Sequence, residues 1–324
     1  FVAEGYDGAV EIVNKYRKLY PQAKKGWYPA VFEQIGTPEW QQLYVNAEHN
    51  GRSGVITVSR ENYNSDVDAE LNRAIDWLKK ENIERIIITG DFHLSTQMVG
   101  ADTADFYPAL RDVKAGFRIS RDWSKTARRL NDEFRISVGF IGGKRCFGGF
   151  LELLMHCHYL VSVEEAGLGM PEVTLPVVPG MEGCHWPFRK TAPEKWPDLL
   201  RLLLTGNPVR AKEAGGWLVD YAGPVDKCLQ TAWKILTGAD HTVARRKVKE
   251  VALKKLPKDI VPPDSENNAV EAGRKAILEC IQASCAVTSS EALLIQAKHS
   301  AGFMASPACQ NGRIGVELKK MAEV

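Results

Sequence analysis

Two glutamates in this chain follow glycines in a pattern that suits proton transfer beside a stabilised oxyanion. Phe147-Gly148-Gly149-Phe150-Leu151-Glu152 reads as a glycine-marked turn opening a helix. Paired glycines let a backbone approach a ligand closely, and the first turn of a helix presents N–H groups with no intrahelical partner. A developing oxyanion placed there gains hydrogen bonds and the favourable end of the helix dipole. Glu152 falls three residues after Gly149, on the same helix face one turn further in, so carboxylate and oxyanion site would share a pocket. The alternative is that Gly148-Gly149 serves tight helix packing while Glu152 is solvated on the surface. The second glutamate closes Gly167-Leu168-Gly169-Met170-Pro171-Glu172, where the proline stiffens the loop. A rigid carboxylate on a loop after a strand suits general acid–base work, although Pro-Glu is also an ordinary surface dipeptide. Val99-Gly100-Ala101-Asp102 and Pro179-Gly180-Met181-Glu182-Gly183 are further glycine-marked turns beside strand-like runs.

These turns need elements to position them. Gly54–Ser59 is a β-branched run entered through an Asn50-Gly51 turn. Ser65 with Asp68 imitates a capping box, and Val67, Leu71, Ile75 and Leu78 recur at helical spacing. Arg85–Gly90 reads as a buried strand ending at a glycine. A polar helix near 121–133, a strand over 136–141, a helix over 151–157 and a strand over 159–163 continue the alternation. Strands alternating with helices predict a parallel α/β arrangement. After about 225 the strands stop, and 226–237, 242–255, 267–285 and 289–299 read as helices. Residues 1–43 are aromatic, basic and broken by prolines, as an N-terminal extension or the tail of a preceding domain would be. The predicted organisation is therefore 1–43, a core over 44–225, and a helical assembly region over 226–324.

Composition narrows the classes. Forty-two Lys and Arg against forty Asp and Glu leave a formal charge of +2, which argues against a nucleic-acid or membrane-surface protein. No run of residues approaches the length of a transmembrane helix. Seven cysteines with no C-x-x-C pair read as reduced thiols, with a cytoplasmic location expected and no disulfide framework or zinc site. His156-Cys157-His158 and Cys184-His185 are the only hints of metal ligands, and nothing completes a four-ligand set. The chain starts at Phe1 rather than Met, with no signal-peptide pattern, which is expected of a piece of something longer or a processed product.

Together the four turns resemble, in order and spacing, the enoyl-CoA hydratase/isomerase (crotonase) superfamily over roughly 44–225. Val99-Gly100-Ala101-Asp102 resembles that family's A-G-A-D turn, and Gly148-Gly149-Phe150-Leu151-Glu152-Leu153 its G-G-G-x-E-L helix entry. Gly169-Met170-Pro171-Glu172 with Pro179-Gly180 resembles F-G-x-P-E … G-I-I-P-G. Leu204-Thr205-Gly206, Ala211, Glu213-Ala214 and Leu218-Val219-Asp220 resemble the L-T-G … A-x-E-A … L-V-D stretch. The resemblance implies a crotonase-type ββα spiral core. It implies Ala101 and Gly149 as oxyanion-hole amides, Glu152 and Glu172 as the catalytic carboxylates, and Gly100, Asp102, Gly148, Phe150, Gly180 and Glu182 at the substrate. The activity implied is reversible syn addition of water to a 2-enoyl-CoA, with coenzyme A carried by the substrate and no other cofactor or metal. A homo-oligomer (trimer or hexamer) and a fused or associated 3-hydroxyacyl-CoA dehydrogenase are implied partners. An isomerase, a thioester hydrolase with Glu182 or His185 orienting water, or a non-catalytic acyl-CoA scaffold are the alternatives.

The departures from the family pattern are specific. Phe150 replaces the third glycine, Lys144 stands where a glycine usually begins that segment, and Met181-Glu182 replaces a small Ala-Gly pair. Ser95-Thr96-Gln97-Met98 replaces F-S-A, and Ser59-Arg60-Glu61-Asn62 is what remains of N-R-P. Phe150 and Glu182 predict a pocket preferring an acyl group that is branched, cyclic or polar near Cβ. The competing expectation turns Phe150 into the core and pairs Glu182 with Arg189 or Lys190.

Overall fold

β-branched runs and amphipathic helices alternate to build a six-stranded sheet, in a computed structural model that describes residues 43–90, 98–239, 242–254 and 267–322. The expectations for residues 1–42, and for 95–97, fall outside the described residues. β1 (Val45–His49) and β2 (Gly54–Val58) form an antiparallel hairpin whose turn places Gly51 at φ +82°, a left-handed conformation that glycine adopts without strain. After β3 (Asn62–Tyr63) comes α1 (Ser65–Lys80). Its cap is Asn64, whose side chain accepts the Val67 N–H, so a single Asn64 cap stands where the Ser65–Asp68 capping box was expected. Val67, Leu71, Ile75 and Leu78 are all fully buried, as their spacing predicts.

β4 (Arg85–Gly90), β5 (Gly100–Ala101), α2 (Val113–Asp132), β6 (Ile136–Ile141) and β7 (Arg145–Phe147) follow. α2 begins well before the predicted polar helix near 121, where Asp112 caps it by accepting the Lys114 N–H. α3 (Gly148–Met155), β8 (Tyr159–Val163), β9 (Gly167–Gly169), α4 (Trp186–Lys190), α5 (Trp196–Thr205), β10 (Val209–Arg210) and β11 (Tyr221–Gly223) complete the core. The large sheet runs β1-β2-β4-β6-β8-β11, and every pairing in it except β1–β2 is parallel. A three-stranded sheet β10-β9-β7 and the parallel pair β3–β5 lie outside it, and these short strands carry the glycine turns.

Beyond the core lie α6 (Val225–Thr237), α7 (Asn268–Cys285), α8 (Ser289–Met304), α9 (Pro307–Asn311) and α10 (Arg313–Ala322). Residues 242–254 are not helical, contrary to the helix predicted over 242–255. Their backbone is committed elsewhere: Arg189 donates to the Lys249 and Val251 carbonyls, and the Leu253 N–H donates to the Cys285 carbonyl. Arg246 donates to Asp220 and to the carbonyls of Trp217 and Leu218. Tertiary hydrogen bonds to this segment thus displace the i→i−4 pattern.

The helices over 226–324 are expected to form an assembly region, whose apolar positions need a partner surface. Many find one within the chain. Ile277, Cys280 and Ile281 of α7 belong to the main core, and Gly116 of α2 lets α8 approach so closely that a Cβ there would lie 3.2 Å from the Ala301 Cβ. No helix among the described residues is long and apolar enough to cross a membrane.

Candidate active site

β3 and β5 pair in parallel with Tyr63 opposite Ala101, and flanking bonds from Val99 N–H to the Glu61 carbonyl and Asp102 N–H to the Tyr63 carbonyl fix that register. Gly100 sits at φ +120°, and a Cβ there would lie 3.3 Å from the Phe147 carbonyl oxygen. β5 therefore packs directly on the turn into α3. At that turn Phe147 is extended and supplies no side-chain cap, so the first amides of α3 have no intrahelical partner. A Cβ on Gly149 would be 3.5 Å from the Ala101 amide nitrogen, and one on Gly100 would be 3.8 Å from the Gly149 amide nitrogen. The two amides thus stand side by side. Gly148, at φ +51°, has no room for a side chain, because a Cβ would come within 2.9 Å of Glu172 Oε1.

Glu152 projects from the first turns of α3 and is almost wholly buried. Its Oε1 accepts two backbone N–H bonds, from Met181 at 2.9 Å and Gly183 at 2.7 Å. Burial pushes its pKa up to about 7, opposed by those N–H bonds, which favour the ionised form. Glu172 lies in a 3-10 turn (Pro171–Thr174) whose carbonyl at 172 accepts the Leu175 and Val177 N–H groups. Burial, and then the neighbouring Glu152 charge, push its pKa well above the usual carboxylate range. Among the described residues its Oε2 meets no hydrogen-bond partner. Burial and the repulsion within the pair thus favour the protonated form at both groups, most strongly at Glu172. Two carboxyl groups with separated proton affinities are the arrangement that lets one serve as acid and the other as base.

Both glutamates line a cavity of about 780 Å³, counting the space at its mouth, together with Gly100, Ala101, Gly148 and Gly149. Its remaining wall is mostly apolar, from Phe106 and Trp123 to Val177, with Met304 and Ile314 contributed by the C-terminal helices. Gly180 lines it as expected of its turn, and its carbonyl accepts the hydroxyls of Ser120 and Ser124.

Three residues expected at the substrate lie elsewhere. Asp102 turns away to cap the next 3-10 turn through the Ala104 N–H and to pair with Arg60 at 2.7 Å. Phe150 is fully buried edge-on to Tyr63, ring centroids 5.6 Å apart, in the core beneath the helix entry. Glu182 is fully buried too, and its partners are Arg128 and two histidines rather than Arg189 or Lys190. These placements overturn the expectation that Phe150 narrows the acyl channel and Glu182 makes it polar.

Of the residues that hint at a metal, His156 and His185 converge on Glu182, but no group among the described residues is placed to hold an ion. His156 faces Glu182, whereas His158 accepts the Ser137 N–H and faces the Asn131 carbonyl, with burial lowering its pKa to about 4. The backbone donors at Met181 and Gly183 were not anticipated, although the glycine was a clue. A Cβ on Gly183 would lie 2.8 Å from Glu152 Oε1, so a side chain there would displace the carboxylate from that N–H.

No family model matches the chain. A probable enoyl-CoA hydratase of Rhizobium meliloti is 32% identical over 178 residues, covering 52% of this chain and 63% of that protein. The peroxisomal bifunctional enzyme of Homo sapiens is 30% identical over 186 residues, 55% of this chain but 24% of that one. This chain therefore aligns with less than two thirds of either relative. A probable enoyl-CoA hydratase of Mycobacterium bovis is 31% identical over 191 residues, covering 57% of this chain and 70% of that protein. The crystal structure of a carnitinyl-CoA dehydratase from Mycobacterium thermoresistibile superposes with a TM-score of 0.64 over 87% of this chain and 90% of that one, at 15% identity, a likeness of fold. With the site as described, the relationship at this identity and coverage means that the chain belongs to the enoyl-CoA hydratase/isomerase (crotonase) family.

Proposed function

We propose that this chain adds water reversibly to the double bond of a 2-enoyl-CoA thioester. The observation that carries the reading is the convergence of two buried carboxyl groups and two adjacent backbone amides on one cavity. The thioester carbonyl oxygen would sit between the amides of Ala101 and Gly149. Ionised Glu152 takes a proton from the water whose oxygen attacks Cβ, and neutral Glu172 gives its proton to Cα. Electron density passes through the carbonyl oxygen as an enolate and returns when Cα is protonated, so the two amides act where charge develops. The product is a 3-hydroxyacyl-CoA, with the proton load exchanged between the glutamates until solvent restores it. The addition leaves the overall oxidation state unchanged, so no redox group is part of it, and the reading gives a metal no step. An isomerase would need a single carboxylate, and the pair favours hydration.

The apolar wall favours a hydrocarbon acyl group rather than a polar one. Similarity to part of a bifunctional enzyme supports the further reading that a 3-hydroxyacyl-CoA dehydrogenase works beside this chain on its product. Assembly as a trimer or hexamer is part of the same reading, and light scattering at micromolar concentration reads it directly. The test of function is the loss of enoyl absorbance with crotonyl-CoA and a longer straight-chain enoyl-CoA, with thiol release followed in parallel. Absorbance loss without thiol is expected. Thiol release matching absorbance loss would make the enzyme a hydrolase, and inertness toward all substrates would overturn the reading.

A further inference from the structure

Glu182 lies one residue from each donor to Glu152, and it is one of two described non-glycine residues with a left-handed backbone, at φ +71°. That conformation is strained for a side chain with a Cβ and persists only where surrounding contacts enforce it. Here it turns the N–H groups of Met181 and Gly183 toward one oxygen, as successive amides do in an anion-holding nest.

The Glu182 carbonyl accepts the His185 and Trp186 N–H groups, and its carboxylate gathers the side-chain contacts. Arg128 of α2 donates through Nε to Oε2 at 2.8 Å, while its Nη2 reaches both Oε1 and the Ser289 carbonyl at the start of α8. His156, just past α3, places Nε2 3.1 Å from Glu182 Oε2 and Nδ1 2.8 Å from the backbone carbonyl of Glu152 itself. His156 stacks on Trp186, ring centroids 4.1 Å apart, which fixes its plane. His185 stands 3.1 Å from Oε1 without hydrogen-bond alignment, and Arg189 donates to its other ring nitrogen. Burial alone would raise the pKa of Glu182, but Arg128, then His156 and the nearby His185, outweigh it and hold the group well below the usual carboxylate range. The carboxylate therefore stays charged throughout the range in which Glu152 titrates.

We infer that Glu182 is a positioning residue for Glu152. A closed circuit runs from Glu152 Oε1 through the 181 and 183 amides to Glu182, across to His156, and back to the Glu152 carbonyl. It ties the loop that holds the carboxylate to the helix that bears it, and anchors both to α2. Oε1 is thereby committed, and Oε2 is the oxygen left to take a proton from water. Glu182 itself does not line the cavity. This inference rests on the hydratase reading.

A double-mutant cycle tests it. Crotonyl-CoA hydration is measured for wild type, Glu182→Gln, Glu152→Gln and the double variant. Because misplacing a reacting group by about 1 Å can cost up to ~100-fold, Glu182→Gln is expected to lower kcat by about 10- to 100-fold with KM within about threefold. In the Glu152→Gln background the same substitution should change kcat by less than about twofold, because it acts through Glu152. Equal losses in both backgrounds would mean general structural damage and overturn the inference, as would an unchanged kcat in the single variant. Should Glu182→Gln fold poorly, Glu182→Gly, which takes φ +71° without strain, is expected to give the same pattern and is read the same way. Wild type without hydratase activity would sink the functional reading and this inference together, whereas active wild type with additive variants sinks this inference alone.

Discussion

Glu152→Gln and Glu172→Gln are each expected to keep the fold and the affinity for acyl-CoA while losing hydration by roughly 10²–10⁴-fold, the usual size of a general acid–base contribution. The amide is nearly isosteric with the carboxyl. At position 152 it can still accept the Met181 and Gly183 N–H bonds, but it cannot carry off a proton from water. At position 172 it has no acidic proton to give to Cα. The two losses should be far from additive in the double variant, because base and acid serve one step. Steady-state kinetics with crotonyl-CoA, beside acyl-CoA binding by calorimetry, reads both quantities. Near-wild-type turnover in either variant removes that residue from the mechanism.

Arg128→Met is expected to destabilise the protein by about 3–5 kcal/mol, the cost of leaving a buried carboxylate without its cation. The site is severe because Glu182 is fully buried, and because Arg128 also holds the Ser289 carbonyl and with it the start of α8. Adding Glu182→Gln to Arg128→Met should recover a large part of the loss, since a neutral amide needs no counter-charge. Urea unfolding of the three proteins decides it. A loss below about 1 kcal/mol would mean that the pair behaves like an ordinary surface salt bridge.

What could be read from the sequence follows the range of the interactions involved. The helix face of α1 was legible because its apolar spacing is local, and the parallel strands because β-branched runs alternate with helices. The glycine turns pointed toward the cavity because backbone geometry at Gly100, Gly148 and Gly149 is written in the absence of a side chain. Glu182 was misread because its partners are remote: Arg128 lies on another helix, 54 residues earlier, and nothing in Pro179–Gly183 announces it. For Phe150 the core expectation holds over the pocket one, and the sequence leaves both open because alternation within one helical turn does not say which side faces the core. The segment 242–254 has a helical composition, but Arg189 takes its carbonyls. The contribution of Met304 and Ile314 to the cavity wall depends on α8 packing along α2 and on α10 reaching the 3-10 turn at Thr103–Phe106, which spacing alone does not encode.

The pH dependence of kcat/KM for crotonyl-CoA hydration tests the central claim most directly, because it reports the protonation states required of the free enzyme. The base must be ionised and the acid protonated. With burial pushing Glu152 up to about 7 and Glu172 well above the usual range, kcat/KM should fall as pH drops through about 7. It should fall again at higher pH as Glu172 loses its proton, and both limbs belong to the coupled pair. In Glu152→Gln the acid limb should disappear from whatever activity remains. A profile that stays flat from about pH 5 to 9, or an acid limb that survives in Glu152→Gln, would contradict the assignment of these two glutamates as base and acid.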